Sequence, residues 1–262
     1  MTTAEAQRTR DDRAAVDKAV SLLAAFGEDG SNGLGVTELA RRADMTKSTA
    51  FRVLQILERN ALVERIGTGY RLGARLHQLG TSVYVPGHEK LRDLLMPFLT
   101  ELFQMTGHTV HLASLHGIQV FYLAKLYGHR TVATPSRIGG TLPANCTAVG
   151  KVLLAYDSDA QARILSAPLP GLTPHSLTDR SALEAELTRV RRDGIALERS
   201  ESRLGMSCVA APIFGRPATT PVAALSVSAP AGTDLRPLAT AVRRVCASAA
   251  SAVARSHVSS RA

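Results

Sequence analysis

Apolar residues recur at helical spacing through the first quarter of the chain. Over residues 14–26, Val16, Ala19, Val20 and Leu23 fall on one face of an expected helix, with Gly27 as its stop. A loop is expected over 28–35. Leu39, Ala40 and Ala43 then mark a short helix over 37–43. From Lys47 a second one follows, with Ala50, Val53, Leu54 and Leu57 at i, i+3, i+4 and i+7. Asp44-Met45-Thr46 interrupts the period, and Thr46 can cap the next helix by accepting a backbone N–H. Leu62-Val63-Glu64-Arg65 and Tyr70-Arg71-Leu72 read as strands around Gly67-Thr68-Gly69, a glycine-supplied turn. Helix, turn, helix and basic hairpin in this order predict a winged helix-turn-helix. A linker helix is expected over 74–84, broken at Pro86-Gly87.

Beyond this break the pattern changes. A long helix is expected over 89–106, with Pro97 able to bend it and Gly107 ending it. Strands are expected over 109–115, 119–126, 195–198, 207–214 and 222–227. Helices are expected over 147–156, 181–192 and 238–254, the middle one opened by a Ser181–Glu184 capping box. Strands interspersed with helices indicate an α/β sensor-like domain.

Charge sharpens the first region. Arg41, Arg42, Lys47, Arg52, Arg59, Arg65, Arg71 and Arg75 stand against Asp44, Glu58 and Glu64, a local net of +5. The apolar face leaves Lys47, Ser48, Thr49, Phe51, Arg52 and Gln55 on other sides of the second helix. Short donors for base edges and cations for phosphates are what a helix in a major groove needs. Lys47, Ser48, Thr49, Phe51 and Arg52 are therefore the candidate base readers, Phe51 through thymine methyls. Arg41, Arg42, Arg65 and Arg71 are candidate phosphate contacts, and Tyr70 joins them at the wing. The formal charge of +9 over all 262 residues adds less, because residues 81–262 carry +7 of it.

Other classes lose ground. Cys146, Cys208 and Cys246 are odd in number and form no CxxC, which favours reduced thiols in a cytoplasmic protein over a disulfide framework. No transmembrane-length apolar run occurs, so no membrane partner is expected. Gly150-Lys151 lacks the earlier glycine and the Ser/Thr of a phosphate loop, and Gly205–Val209 lacks the last glycine of a nucleophile elbow. His108 and His111 are three apart and give no metal-ligand spacing. No cofactor, metal or catalytic residue is nominated. Segment 142–151 (LPANCTAVGK) reads as a loop entering a helix, whose free N–H groups suit an anion.

The sequence resembles the IclR-type transcriptional regulators. The resemblance lies in TELARRADMTKSTAFRVLQILE and LVERIGTGYRLG, and in the second half in LPANCTAVGKVLLA, RVRRDGIALERSESRLGMSCVAAPIF and VAALSVSAP. It implies an α+β chain: an N-terminal winged helix-turn-helix and a C-terminal GAF-like α/β effector-binding domain. The expected limits are a disordered tail over 1–13, the DNA-binding domain over 14–74, the linker over 75–88 and the effector domain over 89–256. The resemblance also implies a double-stranded DNA operator, a small organic effector and a homodimer or homotetramer. It transfers effector contacts to Ala148 and Val149, with Cys146 beside them, and to Glu198, Cys208, Ser226 and Ser228. Two departures reshape that pocket: Glu198 stands where members often have Asp, and Asn145 where His is frequent. The competing class is a metabolite sensor or enzyme whose N-terminal module binds a protein.

Overall fold

The computed structural model describes residues 14–27, 33–81, 88–129, 132–216 and 219–256. The tail expected over 1–13, most of the 28–35 loop and the break at Pro86-Gly87 lie outside them, as does the Tyr84 end of the linker helix. The chain divides into two compact units, residues 1–84 and 85–262.

The first unit holds α1 (Ala15–Ala24), β1 (Leu34–Gly35), α2 (Val36–Arg42), α3 (Lys47–Arg59), β2 (Val63–Ile66), β3 (Gly69–Leu72) and α4 (Ala74–Thr81). Leu39, Ala40, Ala43, Ala50, Leu54 and Leu57 are buried, as their spacing predicts. Asp44, in the left-handed region at φ 50°, makes the sharp turn between α2 and α3. Thr46 caps α3, its hydroxyl oxygen accepting from Thr49 N at 3.2 Å. Such a cap stabilises by about 1 kcal/mol.

Two expectations are corrected here. Val16 and Val20 are 71% and 60% exposed, and α1 turns Leu22 and Phe26 inward instead. Two apolar stripes overlap on this helix, and the one with the larger side chains removes more area from water. The wing also gains a strand: β1 pairs with β3 through Leu34↔Tyr70 and Gly35↔Gly69, giving the antiparallel order β1-β3-β2.

The second unit opens with α5 (His88–Thr106), which runs on through Pro97 and ends at Gly107 (φ 64°). Next come β4 (Thr109–His116), β5 (Gln119–Leu126), β6 (Thr141–Pro143), a 3-10 turn at Ala144–Cys146, α6 (Ala148–Leu154), α7 (Ser158–Ser166) and α8 (Arg180–Asp193). The last elements are β7 (Ala196–Arg199), β8 (Met206–Phe214), β9 (Pro221–Pro230) and α9 (Arg236–Arg255). The six strands form one antiparallel sheet in the order β6-β5-β4-β9-β8-β7. Strand β6 and helix α7 are additions to the expected elements. Helix α8 starts from Asp179, whose carboxylate accepts from Ala182 N at 2.8 Å; the Ser181 capping box is not used.

Because side chains alternate along each strand, the sheet has two unlike faces. One packs Val110, Leu112, Val209, Ala211, Ile213, Leu225 and Val227 against α5 and α9. The other puts Ala113, Tyr122, Cys208, Ala210 and Ala224 under Ala148, Val149 and Val152 of α6. Gly150 lets the 3-10 turn fold back against α6, since a Cβ there would collide with the Ala144 carbonyl.

Candidate nucleic-acid interface and ligand pocket

Helix α3 shows solvent the side chains that its sequence leaves off the core. Lys47, Ser48, Phe51, Arg52 and Gln55 are exposed, Phe51 by 39%. Thr49 is only half out, and its hydroxyl oxygen accepts from Thr46 Oγ1 at 2.9 Å. Among the described residues neither Lys47 nor Arg52 is in an ion pair. The α2 arginines are engaged. Arg41 donates to both oxygens of Glu38 at 2.9 and 2.7 Å, and Arg42 Nε donates to Glu38 Oε1 at 2.7 Å. These bonds hold the Glu38 carboxyl down at about 2. At the wing, Arg71 pairs with Glu64 at 2.7 Å. Arg65 lies 5.9 Å over the Tyr70 ring. Tyr70 itself is 2% exposed and belongs to the core, so it supports the wing from beneath and offers no surface to a groove.

The candidate effector site is a buried polar patch on the α6 face of the sheet. Strand register lines up Glu198↔Cys208↔Ser228↔Thr109 in one row and Ala210↔Ser226↔His111↔Lys125 in the next. The two rows lie two residues apart along each strand, so both look toward α6. Glu198, Cys208, Ser226, Ser228, Ala148 and Val149 are all at most 5% exposed. The structure thus brings six of the seven expected effector residues together. Cys146 departs from them: its thiol donates to the Pro170 carbonyl at 3.3 Å, on the loop that follows α7.

Burial governs the chemistry. Desolvation raises Glu198 to about 7, against the pull of N–H groups from Ser202 and Glu201. Cys208 is pushed up to about 12, chiefly by burial and then by Glu198, so its thiol stays protonated. His111, wholly enclosed, is lowered to about 3 by desolvation with help from Lys125, and is neutral. Spacing alone does not nominate His111 or Tyr122 as groups of this patch. The signal was present in Thr109-Val110-His111-Leu112, where polar residues alternate with apolar ones on a strand buried on both sides.

His111 is the end of a hydrogen-bond chain. Lys125 Nζ donates to Thr134 Oγ1 at 2.6 Å and to the Ser136 carbonyl at 2.8 Å. Ser136 Oγ donates to Thr134 Oγ1 at 3.1 Å and lies 2.7 Å from His111 Nε2. With that proton used, Nε2 is the donor, and Nδ1 accepts from Ser226 Oγ at 3.4 Å. The other end of the pocket is tied by backbone. Glu198 Oε1 accepts from Glu201 N at 2.9 Å, Ser202 N at 3.0 Å and Ser202 Oγ at 3.3 Å. Thr173 and Ser176, on the loop after α7, both donate to the Glu201 carbonyl. Lys151, 1% exposed, spans both oxygens of Glu201 at 2.7 and 2.8 Å.

Among the described residues, no group of three or more His, Cys, Asp or Glu could hold a metal, and no helix is long and apolar enough to cross a membrane.

Comparison with known proteins identifies both domains. Residues 15–67 match the family profile of the IclR helix-turn-helix domain, and residues 85–254 match that of the bacterial transcriptional regulator IclR C-terminal domain. The Escherichia coli K12 regulator XynR, an HTH-type transcriptional regulator, is 34% identical over 220 residues, covering 81% of this chain and 84% of XynR. Among solved structures, an IclR homolog from Microbacterium hydrocarbonoxydans complexed with 4-hydroxybenzoate superposes with a TM-score of 0.73 at 26% identity. That match covers 92% of this chain and 99% of the other. The Thermotoga maritima IclR gives 0.72 at 27% identity, covering 92% and 97%.

Proposed function

This chain belongs to the IclR family of bacterial transcriptional regulators, and from that premise we propose that it binds a near-palindromic operator as a cytoplasmic homodimer or homotetramer and answers to a small organic acid. It is a regulator with a helix-turn-helix DNA-binding domain and a C-terminal effector domain, not an enzyme. The exposed face of α3 carries the reading: Lys47 and Arg52, with no intramolecular ion pair among the described residues, flank Phe51. Lys47, Ser48, Thr49, Phe51 and Arg52 would read base edges, while Arg41, Arg42, Arg65 and Arg71 fix the register on phosphates. One winged domain covers only a short half-site, which is why two copies are needed.

The acid is supported by the start of α6. Thr147 Oγ1 takes the Gly150 N–H at 3.0 Å, and helix geometry leaves the N–H groups of Ala148 and Val149 without an intrahelical acceptor. Glu198, Cys208, Ser226 and Ser228 would complete the contacts. The Microbacterium hydrocarbonoxydans homolog was solved in complex with 4-hydroxybenzoate, a small organic acid. Effector binding regulates only if the acid prefers one arrangement of the DNA-binding domains.

Footprinting on the protein's own genome, followed by gel-shift titration of Arg52→Ala, tests the DNA reading. The variant should keep its fold and lose about tenfold or more in affinity, as one good base contact accounts for roughly 1–3 kcal/mol. Unchanged affinity removes Arg52 from the interface, and no preferred genomic site removes the proposal.

A further inference from the structure

The candidate effector site lies under α6. At the β7 margin of the opposite face of the same sheet is a groove that the proposed function does not use. Helix α9 packs on β8 and β9, and the edge strand β7 lies beyond β8. Between β7, the first turn of α9 and the 231–235 loop is a cavity of about 540 Å³. Small-molecule sites commonly span about 300–1,000 Å³.

Strand alternation decides what lines it. Leu197 and Val209 pack toward the α5–α9 core, so Arg199 and Ser207, two residues away on the same strands, show that face as well. Arg199 and Ser207 are cross-strand partners. Such partners have their Cβ atoms roughly 5 Å apart. Ile195, Leu197, Leu235 and Ala239 give the cavity an apolar wall beside this polar pair.

Charge fixes the sign of the guest. Among the described residues Asp234 is the only acid lining the cavity, and it is already matched. Arg236 donates to both of its oxygens at 2.9 to 3.1 Å. Arg199 spends its backbone N–H on Glu201 Oε1, but its exposed guanidinium has no hydrogen bond or ion pair among the described residues. Ser207 is only 6% exposed, and its hydroxyl has no partner among them either. A buried hydroxyl is normally bonded, and a guanidinium fork beside one suits a carboxylate.

We propose that this groove is a second ligand site, for an organic monocarboxylate with an apolar chain or ring. The carboxylate lies between Arg199 and Ser207, and the apolar body along Leu197, Leu235 and Ala239. A bare small anion leaves the apolar wall wet, and an uncharged apolar molecule leaves Arg199 and Ser207 unmatched. The groove shares no residue with the candidate effector site, because Glu198, between Leu197 and Arg199 on β7, points to the α6 face with Cys208. It therefore stands whether or not an acid binds beneath α6.

Isothermal titration of the full chain with octanoate and 2-naphthoate tests this, with acetate as the head without the body and 1-octanol as the body without the head. At least one of the two acids should bind about 10-fold tighter, or better, than acetate and octanol. Arg199→Met keeps an apolar stem without the charge and should lose about 10-fold or more of that affinity. Arg199→Lys, a point charge in place of a fork, should lose less. Ala239→Phe should fill the apolar end and abolish binding. Arg199 is exposed, so its variants keep the fold and decide the matter if Ala239→Phe does not fold. Failure of both acids to bind overturns the proposal. So does affinity unchanged in both Arg199→Met and Ala239→Phe, which puts the acids elsewhere, beneath α6 included. Octanol binding as tightly as octanoate, or loss in Ala239→Phe with none in Arg199→Met, overturns the carboxylate recognition. Loss in Arg199→Met with none in Ala239→Phe overturns the placing of the apolar body.

Discussion

The two faces of the six-stranded sheet are made by the same strands and carry opposite chemistry. Val227 and Ser226 are neighbours on β9 and both at most 1% exposed, yet one packs against α5 and α9 while the other bonds a histidine. The α5–α9 face is dry, and any well-packed apolar side chain serves it. The α6 face keeps polar groups that each need a partner, so its stability depends on matching as much as on packing. The dry face holds the domain together, and under the proposed function the polar face is where the small organic acid binds.

The sharpest contrast comes from adjacent substitutions. Val227→Asp buries a carboxyl with no partner and should cost on the order of 5 kcal/mol, enough to unfold the domain. Ser226→Val removes one weak hydrogen bond and adds apolar volume, and should cost under about 1.5 kcal/mol. Thermal unfolding followed by circular dichroism checks both; similar losses would mean that the two faces are not energetically distinct.

A smaller effect is expected where matching fails on the polar side. Lys151→Met leaves Glu201 without the cation that spans both its oxygens, and Glu186 without its 3.5 Å contact. Removing one partner of a buried pair typically costs about 3–5 kcal/mol. The double variant Lys151→Met with Glu201→Gln should recover most of that loss. If Lys151→Met alone is neutral in urea unfolding, the buried pair contributes specificity and no stability.

Smaller again is the pH dependence. Glu198 rises to about 7 in the folded chain from an ordinary 4.5. The folded state therefore holds more protons between those values, and stability falls as pH rises through that window. His111 acts oppositely: lowered to about 3 from 6.5, it contributes stability above 6.5 that is lost as pH falls toward 3. The groups that bear on Glu198 are Glu201 and Lys151; Tyr122 and Cys208, also near it, stay neutral throughout. Glu198→Gln deletes the falling limb, so its stability relative to wild type should grow by about 2–3 kcal/mol between pH 4.5 and 7.5, at roughly 1.4 kcal/mol per pKa unit. Parallel melting curves for the two proteins across that range would show that Glu198 ionises freely.

The same contrast explains what could be read before the structure was known. The reading helix is local: Ala50, Leu54 and Leu57 point inward by spacing, and the exposed set is whatever remains. Ser226 and Ser228 share a face for the same reason. What places Cys208 between Glu198 and Ser228, or His111 beside Ser226, is strand register. Register depends on long-range pairing and on the irregularity at Leu112/Ala113, neither of which a local period encodes. Helix α1 failed more simply, since two apolar stripes overlap there and only packing chooses between them. Tyr70, expected at the wing among the DNA-binding residues, is buried where strand β1, expected as loop, pairs beside it.

The smallest effect concerns charge at the opposite end of the chain, where polar groups face solvent and matching matters least. Glu38 occupies Arg41 and Arg42, two of the cations proposed for phosphates, and its depressed carboxyl is ionised at any working pH. A phosphate must compete with that carboxylate, and Glu38→Gln would end the competition without touching a base contact. The plot of log K against log salt for a genomic site should steepen by about 1 or slightly more in Glu38→Gln and flatten by about 1 in Arg42→Ala. Opposite shifts of that size would place both arginines on the backbone. Two lines parallel to wild type would mean that these exposed ion pairs persist beside DNA and that the phosphates are held by Arg65 and Arg71 alone.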